Sequence, residues 1–288
     1  MKIHVHEQPQ EWPASTTMGE IAANHPGATL LLINGRLAQP EQLLTEGDRC
    51  WCLAEDASLS PAEMNDILAR RHSPAIQRRL AKATVGIMGL GGLGSPVAMA
   101  LTRMGVGCLR LADFDRVDPS NLGRQHYFVD QLGQLKTKAL AATLARINPG
   151  VKIELIDQRL DGPAIKKEFR GVDVLVECFD DPVMKATALR LALTDLKPIR
   201  YVGASGVAGY GPNNEITTSS PFPGVFLVGD GHSDPEDGLG LMASRVGIAA
   251  HHQANQVIRL LLDDTADLRP SNQSGPDQDT SKKNGNNR

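Results

Sequence analysis

The run Asp113-Phe-Asp-Arg-Val-Asp-Pro-Ser-Asn-Leu-Gly-Arg-Gln125 follows an apolar stretch and concentrates acids, an amide and a guanidinium in one short span. Such residues handle phosphates: Arg and Lys neutralise the oxygens, amides and hydroxyls orient them, and a carboxylate can grip ribose hydroxyls. Upstream, Gly89-Leu-Gly91-Gly92-Leu-Gly94-Ser95 separates a strand-like run, TVGIM, from a helical pattern. Glycines let the chain turn tightly and approach an anion, and free N–H groups at the helix start attract its oxygens. By itself that spacing fits a dinucleotide as well as a mononucleotide, and Asp113 suits a ribose contact in either case.

The residues beyond Asp113 separate the two. A nicotinamide site has no use for Asn121, Arg124 and Gln125, nor for Lys136 after the Gly133-Gln-Leu turn. A triphosphate does, because its charge must be shielded. A third element closes the apolar run VDVLVECFDD, where Asp180 and Asp181 stand at the carboxyl end of an expected strand. A carboxylate there can hold a magnesium ion bridging phosphates. Asp181 precedes Pro182 and also suits a helix N-cap, so the metal is assigned to Asp180 and Asp181 is left between cap and nucleotide.

To bring these segments together the chain must alternate strands and helices. From Thr84 it does: TVGIMG, a helix over 93–104, CLRLADFD, a helix over 133–147, KIELID, a helix near 162–169, VDVLVECF, a helix near 182–195, and PIRYVGASG. This pattern predicts an α/β fold, a doubly wound, mostly parallel Rossmann-like sheet. Residues 1–56 read differently. KIHVH alternates, with Ile3 and Val5 on one face and His4 and His6 on the other; Thr16 or Thr17 can cap MGEIAA, and ATLLLIN and RCWCLA read as strands. The order strand, strand, helix, strand, strand is that of a small β-grasp domain. Residues 57–82 form a helical connection opened by a capping box at Ser60 and Glu63. Residues 83–269 carry the chemistry, and 270–288, nearly devoid of apolar residues, are expected to be disordered.

The 288 residues, 41% of them hydrophobic, suffice for one large domain and a small one. A net charge of −3 provides no diffuse cationic surface for nucleic acid or anionic membrane. No apolar run is long enough to span a bilayer and the start lacks a signal-peptide segment, which points to a cytoplasmic protein. Cys50, Cys52, Cys108 and Cys178 show neither a disulfide framework nor CxxC zinc spacing. His4 and His6 share a face without a third ligand in view, so a solvated face is the better reading, and His251-His252 lie about 100° apart on a helix. Trp12 and Trp51 are read as core of the small domain.

GLGGLGS, DFDRVDPSNLGRQ, GQLK and ECFDD, in that order, closely resemble the ThiF/MoeB/HesA family of ubiquitin-activating-enzyme-like adenylyltransferases. The match covers about Lys82 to Leu262. The resemblance implies ATP- and magnesium-dependent adenylation of the C-terminal glycine carboxylate of a small β-grasp carrier protein, with release of pyrophosphate. It implies nucleotide contacts at Gly92, Asp113, Ser120, Asn121, Arg124, Lys136, Asp180 and Asp181, with Arg124, Lys136 and Asp180 as the catalytic set and the rest of the glycine loop as phosphate cradle. ASGVAGYGPNNEITT, FLVGDG and SRVGIAAHHQANQVIRLLL resemble the shorter ThiF form, which carries a fused ThiS-like stretch. That implies a Gly-Gly-ended sulfur carrier of the ThiS kind as partner, in thiamine thiazole synthesis, and a homodimer to which Arg70, Arg71 or Arg78 would lend a side chain. The small domain ends LAEDASLSP without Gly-Gly, so it is no carrier. Without the family's CxxC pairs no zinc is expected, and without a cysteine at 205–250 sulfur transfer must occur elsewhere. The segment TTSSPFPGVFLVGDGHSDPEDGLG is expected to cross over the carrier tail. The alternatives are a nicotinamide-dependent oxidoreductase and a carrier-binding protein that has lost turnover.

Overall fold

A computed structural model describes residues 1–54, 59–235, 238 and 240–262. The expected tail at 270–288 lies outside these residues. Thr17, not Thr16, caps the first helix, with the reciprocal Glu20 contact of a capping box.

The N-terminal sheet runs β2-β1-β5-β3-β4, with β1 (Lys2–Val5), β2 (Gln8–Glu11), β3 (Leu30–Ile33), β4 (Arg36–Leu37) and β5 (Arg49–Leu53). β1 pairs parallel with β5 and antiparallel with β2. Helix α1 (Met18–Ala22) lays Met18 and Ile21 against Ile3, Val5, Ile33, Leu44, Cys50 and Cys52, so the strand alternation read at KIHVH holds for Ile3 and Val5. It does not hold for His6. The strand stops at Val5, and His6 and Glu7 form the β1–β2 turn at φ +50° and +66°. His6 therefore leaves the face assigned to His4 and stacks between His25, at 4.6 Å, and Trp51, at 5.2 Å. Burial, then the nearby His25, lowers the His6 pKa. Trp51 is thus a ring partner of His6; Trp12 does pack against the small core.

Two helices connect the sheets, α2 (Pro61–His72) and α3 (Pro74–Leu80), the first opened by the Ser60–Glu63 capping box. α2 also meets the small sheet, where Asp66 and Arg70 bond the Gln8 amide at 3.0 and 2.7 Å.

The second sheet has seven strands, ordered β11-β12-β10-β9-β6-β7-β8. They are β6 (Thr84–Met88), β7 (Cys108–Ala112), β8 (Lys152–Ile156), β9 (Val174–Glu177), β10 (Arg200–Ala204), β11 (Thr217–Phe222) and β12 (Val225–Gly229). Every neighbouring pair is parallel except β11 with β12 at the edge. The Rossmann-like expectation is met, with one correction. The stretch expected to be a crossing loop contains a hairpin: TTSSPF forms the edge of the sheet, and after the turn at Gly224 VFLVG returns between it and β10. VFLV is a short apolar run that can be buried in a sheet, and Pro221 is tolerated at an edge.

Helices α4 (Gly94–Arg103), α5 (Lys136–Ile147) and α8 (Ala243–Leu262) pack on one face, and α6 (Gly162–Glu168) and α7 (Pro182–Leu193) on the other. The winding leaves β6 in one direction, through α4, β7, α5 and β8, and returns through α6 to β9 on its other side. The carboxyl ends of β6 and β9 thus flank the point where the winding reverses, where open α/β sheets leave a crevice. No helix among the described residues is long and apolar enough to cross a membrane.

Candidate active site

The glycine loop follows β6 at that crevice. Gly89 adopts φ +84°, and a Cβ there would lie 2.7 Å from the Cys178 carbonyl oxygen. A Cβ on Gly94 would meet the Gly89 carbonyl at 1.9 Å. Gly89 is demanded by packing against the residue after β9, and Gly94 by the loop's own close turn onto Gly89. Gly91 is different. Its φ is ordinary and the nearest atom to an added Cβ, on Gln125, is 3.6 Å away, so the fold leaves room for a side chain. Gly92 lies beside Arg124, whose Cγ would be 3.7 Å from its Cβ, and beside Val246 at 3.0 Å.

The loop after β7 is stapled to the glycine loop. Asp113 accepts the Leu90 N–H at 2.7 Å through one carboxylate oxygen and the Asp115 N–H at 2.8 Å through the other. Tyr127 donates its hydroxyl to the Leu90 carbonyl at 2.8 Å, and the His126 N–H reaches Ser95 Oγ at 3.1 Å. Burial, followed by Asp113 and Asp115, raises the Tyr127 pKa and keeps it a donor. The sequence reading missed Tyr127, although its position two residues past Gln125 was the available signal. Asp113 therefore shapes the loop through backbone bonds, and each of its oxygens keeps a lone pair able to accept a further hydroxyl.

Between the staples, a short 3-10 turn at Pro119–Asn121 is capped by Asp118, whose carboxylate accepts the Ser120 N–H. That contact, through the side chain and backbone of Ser120, lowers the Asp118 pKa. Arg124 donates to the Ser120 carbonyl at 3.1 Å, and Asn121 accepts the Asp118 N–H at 3.3 Å. Lys136 opens α5 as a buried cation whose Nζ sits 2.8 Å from Asp115 Oδ2.

The third segment adjoins the same loop, because Cys178 backs Gly89. Asp181 caps α7, accepting the Val183 and Met184 amides at 2.8 and 3.4 Å. Asp180 is exposed and has no partner among the described residues. Behind it, buried Glu177 accepts from the Phe179 N–H at 2.6 Å, Lys185 at 2.9 Å and the Tyr201 hydroxyl at 3.2 Å, which fixes the turn that presents Asp180. Neither Glu177 nor Lys185 was singled out from sequence. Cys178 is buried, and that burial, then Glu177, raises its thiol pKa well above the range of a reactive thiolate.

The model of the ThiF family matches residues 64–278. The chain belongs to the ThiF family. It is 32% identical over 190 residues to the sulfur carrier protein ThiS adenylyltransferase of Escherichia coli K12, spanning 64% of this chain and 74% of that protein. It is also 32% identical, over 71% of this chain and 85% of the other, to the molybdopterin-synthase adenylyltransferase of Salmonella typhimurium LT2. Among solved structures, tRNA N6-threonylcarbamoyladenosine dehydratase from E. coli in complex with AMP superposes with a TM-score of 0.63 at 20% identity, covering 72% of this chain and 97% of that one. That likeness is one of fold. The family relatives in sequence are adenylyltransferases of sulfur carrier or ubiquitin-like proteins.

The segments FLVGDG and SRVG also meet. Arg245, at the start of α8, donates to Asp230 at 2.8 Å and to the Gly211 and Pro212 carbonyls at 2.8 and 3.2 Å. Burial alone would raise the Asp230 pKa, but the Ser233 and His232 amides and Arg245 outweigh it and hold the carboxyl below its ordinary range. His251 and His252 take helix-surface roles, bonding the Gly247 carbonyl and Thr218 hydroxyl.

Proposed function

We propose that this protein uses ATP to adenylate the C-terminal glycine carboxylate of a ThiS-like sulfur carrier, releasing pyrophosphate, for thiamine thiazole synthesis. The observation that carries the reading is the stapling of the Asp113–Tyr127 loop onto the glycine loop. It sets Arg124 beside Gly92 and links Lys136, through Asp115 and Asp113, to the Leu90 amide.

The carrier carboxylate is ionised at neutral pH and needs no protein nucleophile. Orientation and charge shielding suffice. Gly91 and Gly92 admit the phosphates, with Gly89 and Gly94 holding the loop's shape. Asp113 holds the ribose, Ser120 and Asn121 orient the nucleotide, and Asp181 borders it from its capping position. Arg124 and Lys136 stabilise charge on the α- and β-phosphates as the carboxylate oxygen attacks and pyrophosphate leaves. Asp180, an exposed hard oxygen donor at the strand end, fits a magnesium ion, which when bound would neutralise charge on the departing pyrophosphate.

Residues 1–56 are read as a β-grasp docking module, supported by the strand order of the small sheet and the parallel β1–β5 pair. The chain is taken as a homodimer, with Arg70, Arg71 or Arg78 as the donated side chain. The carrier is ThiS rather than a molybdopterin-type protein on the resemblance to the shorter ThiF form. A tRNA substrate, as in the name of the structural neighbour, is disfavoured by the net charge of −3.

The test is exchange of labelled pyrophosphate into ATP. Exchange that depends on ThiS and is weaker with a molybdopterin-type carrier is expected. Exchange with no carrier present, or only with tRNA, would overturn the assignment.

A further inference from the structure

The small sheet gathers two imidazoles and a thiol from segments far apart in sequence. His6 comes from the β1–β2 turn, His25 from the loop after α1, and Cys52 from β5; one ligand atom of each lies within 4.8 Å of the others. We propose that His6, His25 and Cys52 form a zinc site in the N-terminal domain.

The local backbone sets up this grouping. A two-residue turn with both central residues at positive φ is normally filled by Asn-Gly or Gly-Gly, yet His6 and Glu7 occupy it here. A strained non-glycine pair persists where the surrounding structure demands it. The strain turns the His6 ring over β5, where its Nε2 accepts the Cys52 N–H at 3.1 Å. Trp51 on one side and His25 on the other hold that ring in place.

The donor set suits the metal. Zinc takes imidazole nitrogen and thiolate sulfur at about 2.0–2.3 Å in a tetrahedron, which leaves ligand atoms roughly 3.3–3.8 Å apart. The His6 and His25 rings stack within 12° of parallel, so their in-plane lone pairs converge on one ion only when the His25 ring turns out of the stack, which its partly exposed loop allows. On binding, His6 Nε2 exchanges the amide of Cys52 for the ion, Cys52 releases its thiol proton to solvent, and water fills the fourth position. Sequence spacing could not announce such a site, since the ligands follow no CxxC or HxxxH pattern. It ties the turn, the helix exit and β5 at the end of the small sheet where Gln8 meets α2, which makes it a structural site.

The experiment is titration of the untagged, reduced full-length chain with Co2+. One equivalent should give a thiolate-to-cobalt charge-transfer band with the visible bands of tetrahedral cobalt, and Zn2+ should erase both. Cys50→Ser should keep the spectrum and Cys52→Ser should lose the charge-transfer band. His25→Ala, in a partly exposed loop, should weaken cobalt affinity about tenfold or more. Absence of the band in the wild type overturns the proposal, as does its survival in a folded Cys52→Ser chain. Should that variant not fold, unchanged affinity in His25→Ala overturns it instead.

Discussion

Arg245 and Asp230 meet at 2.8 Å with side chains only 4% and 2% exposed, joining the start of α8 to the end of β12. The same guanidinium bonds the Gly211 and Pro212 carbonyls, so three separate stretches of chain close around one cation. Val246, the next residue, backs Gly92, so this knot also supports the glycine loop from behind.

Removing the cation leaves the Asp230 carboxylate buried without its counter-ion, held by the Ser233 and His232 amides. Arg245→Met should cost about 3–5 kcal/mol, read by chemical denaturation. The pH dependence has a definite sign. Asp230 has a lowered folded-state pKa, so its stabilisation is fully present above its ordinary value of 3.8 and disappears as pH falls through the folded value. The Tm gap between the wild type and Asp230→Asn should be flat from neutral pH to about 5 and should narrow below about 4. A gap that widens on acidification would show that Asp230 is not held as the carboxylate.

Gly91 and Gly94 should respond differently to the same added methyl. Gly94→Ala places a Cβ 1.9 Å from the Gly89 carbonyl and should destabilise the protein or prevent folding. Gly91→Ala has space and an ordinary φ, so its Tm should stay within about 1 kcal/mol equivalent of the wild type while ATP binding is lost. Undiminished ATP binding by calorimetry would place the nucleotide elsewhere.

Among the described residues the Arg124 side chain bonds a local carbonyl, that of Ser120, and its loss leaves no buried charge behind. Arg124→Ala should reduce carrier-dependent pyrophosphate exchange by about 10²–10³-fold with little change in Tm. Asp180→Asn should show its defect chiefly as a raised magnesium requirement. Normal exchange in either variant removes that residue from the catalytic set.

Asp115 competes with a phosphate for the Lys136 ammonium, which gives it one of its three N–H donors. Asp115→Asn removes that competitor and a negative charge, and should lower the KM for ATP by about 1 kcal/mol equivalent, roughly fivefold. Lys136→Met should abolish exchange. An unchanged KM in Asp115→Asn would mean that the pair persists in the nucleotide complex.

Much of this was legible from periodicity and residue type. The alternation from Thr84 onward predicts the parallel sheet, and the motif order places the glycine, Asp113 and Asp180 segments after its first, second and fourth strands in chain order. The hairpin at 217–229 was not legible, because Gly and Pro at 206, 209, 221, 223 and 224 obscure an apolar run whose partner, β10, lies upstream in sequence. Glu177 and Lys185 escaped notice because a buried ion pair has no periodic signature; each reads as an ordinary charge until its partner is known.

The sequence alone determined most of the elements and which chemical groups stand at their ends, since strand and helix periods, caps and turn residues are local properties. Tertiary structure decided how those ends are used. It divided the tandem acids into a cap at Asp181 and an exposed carboxylate at Asp180, turned Asp113 into the fastener of the Leu90 amide, and gathered His6, His25 and Cys52. These outcomes depend on distances between segments remote along the chain, which are fixed only when the β6–β9 crevice and the small sheet close.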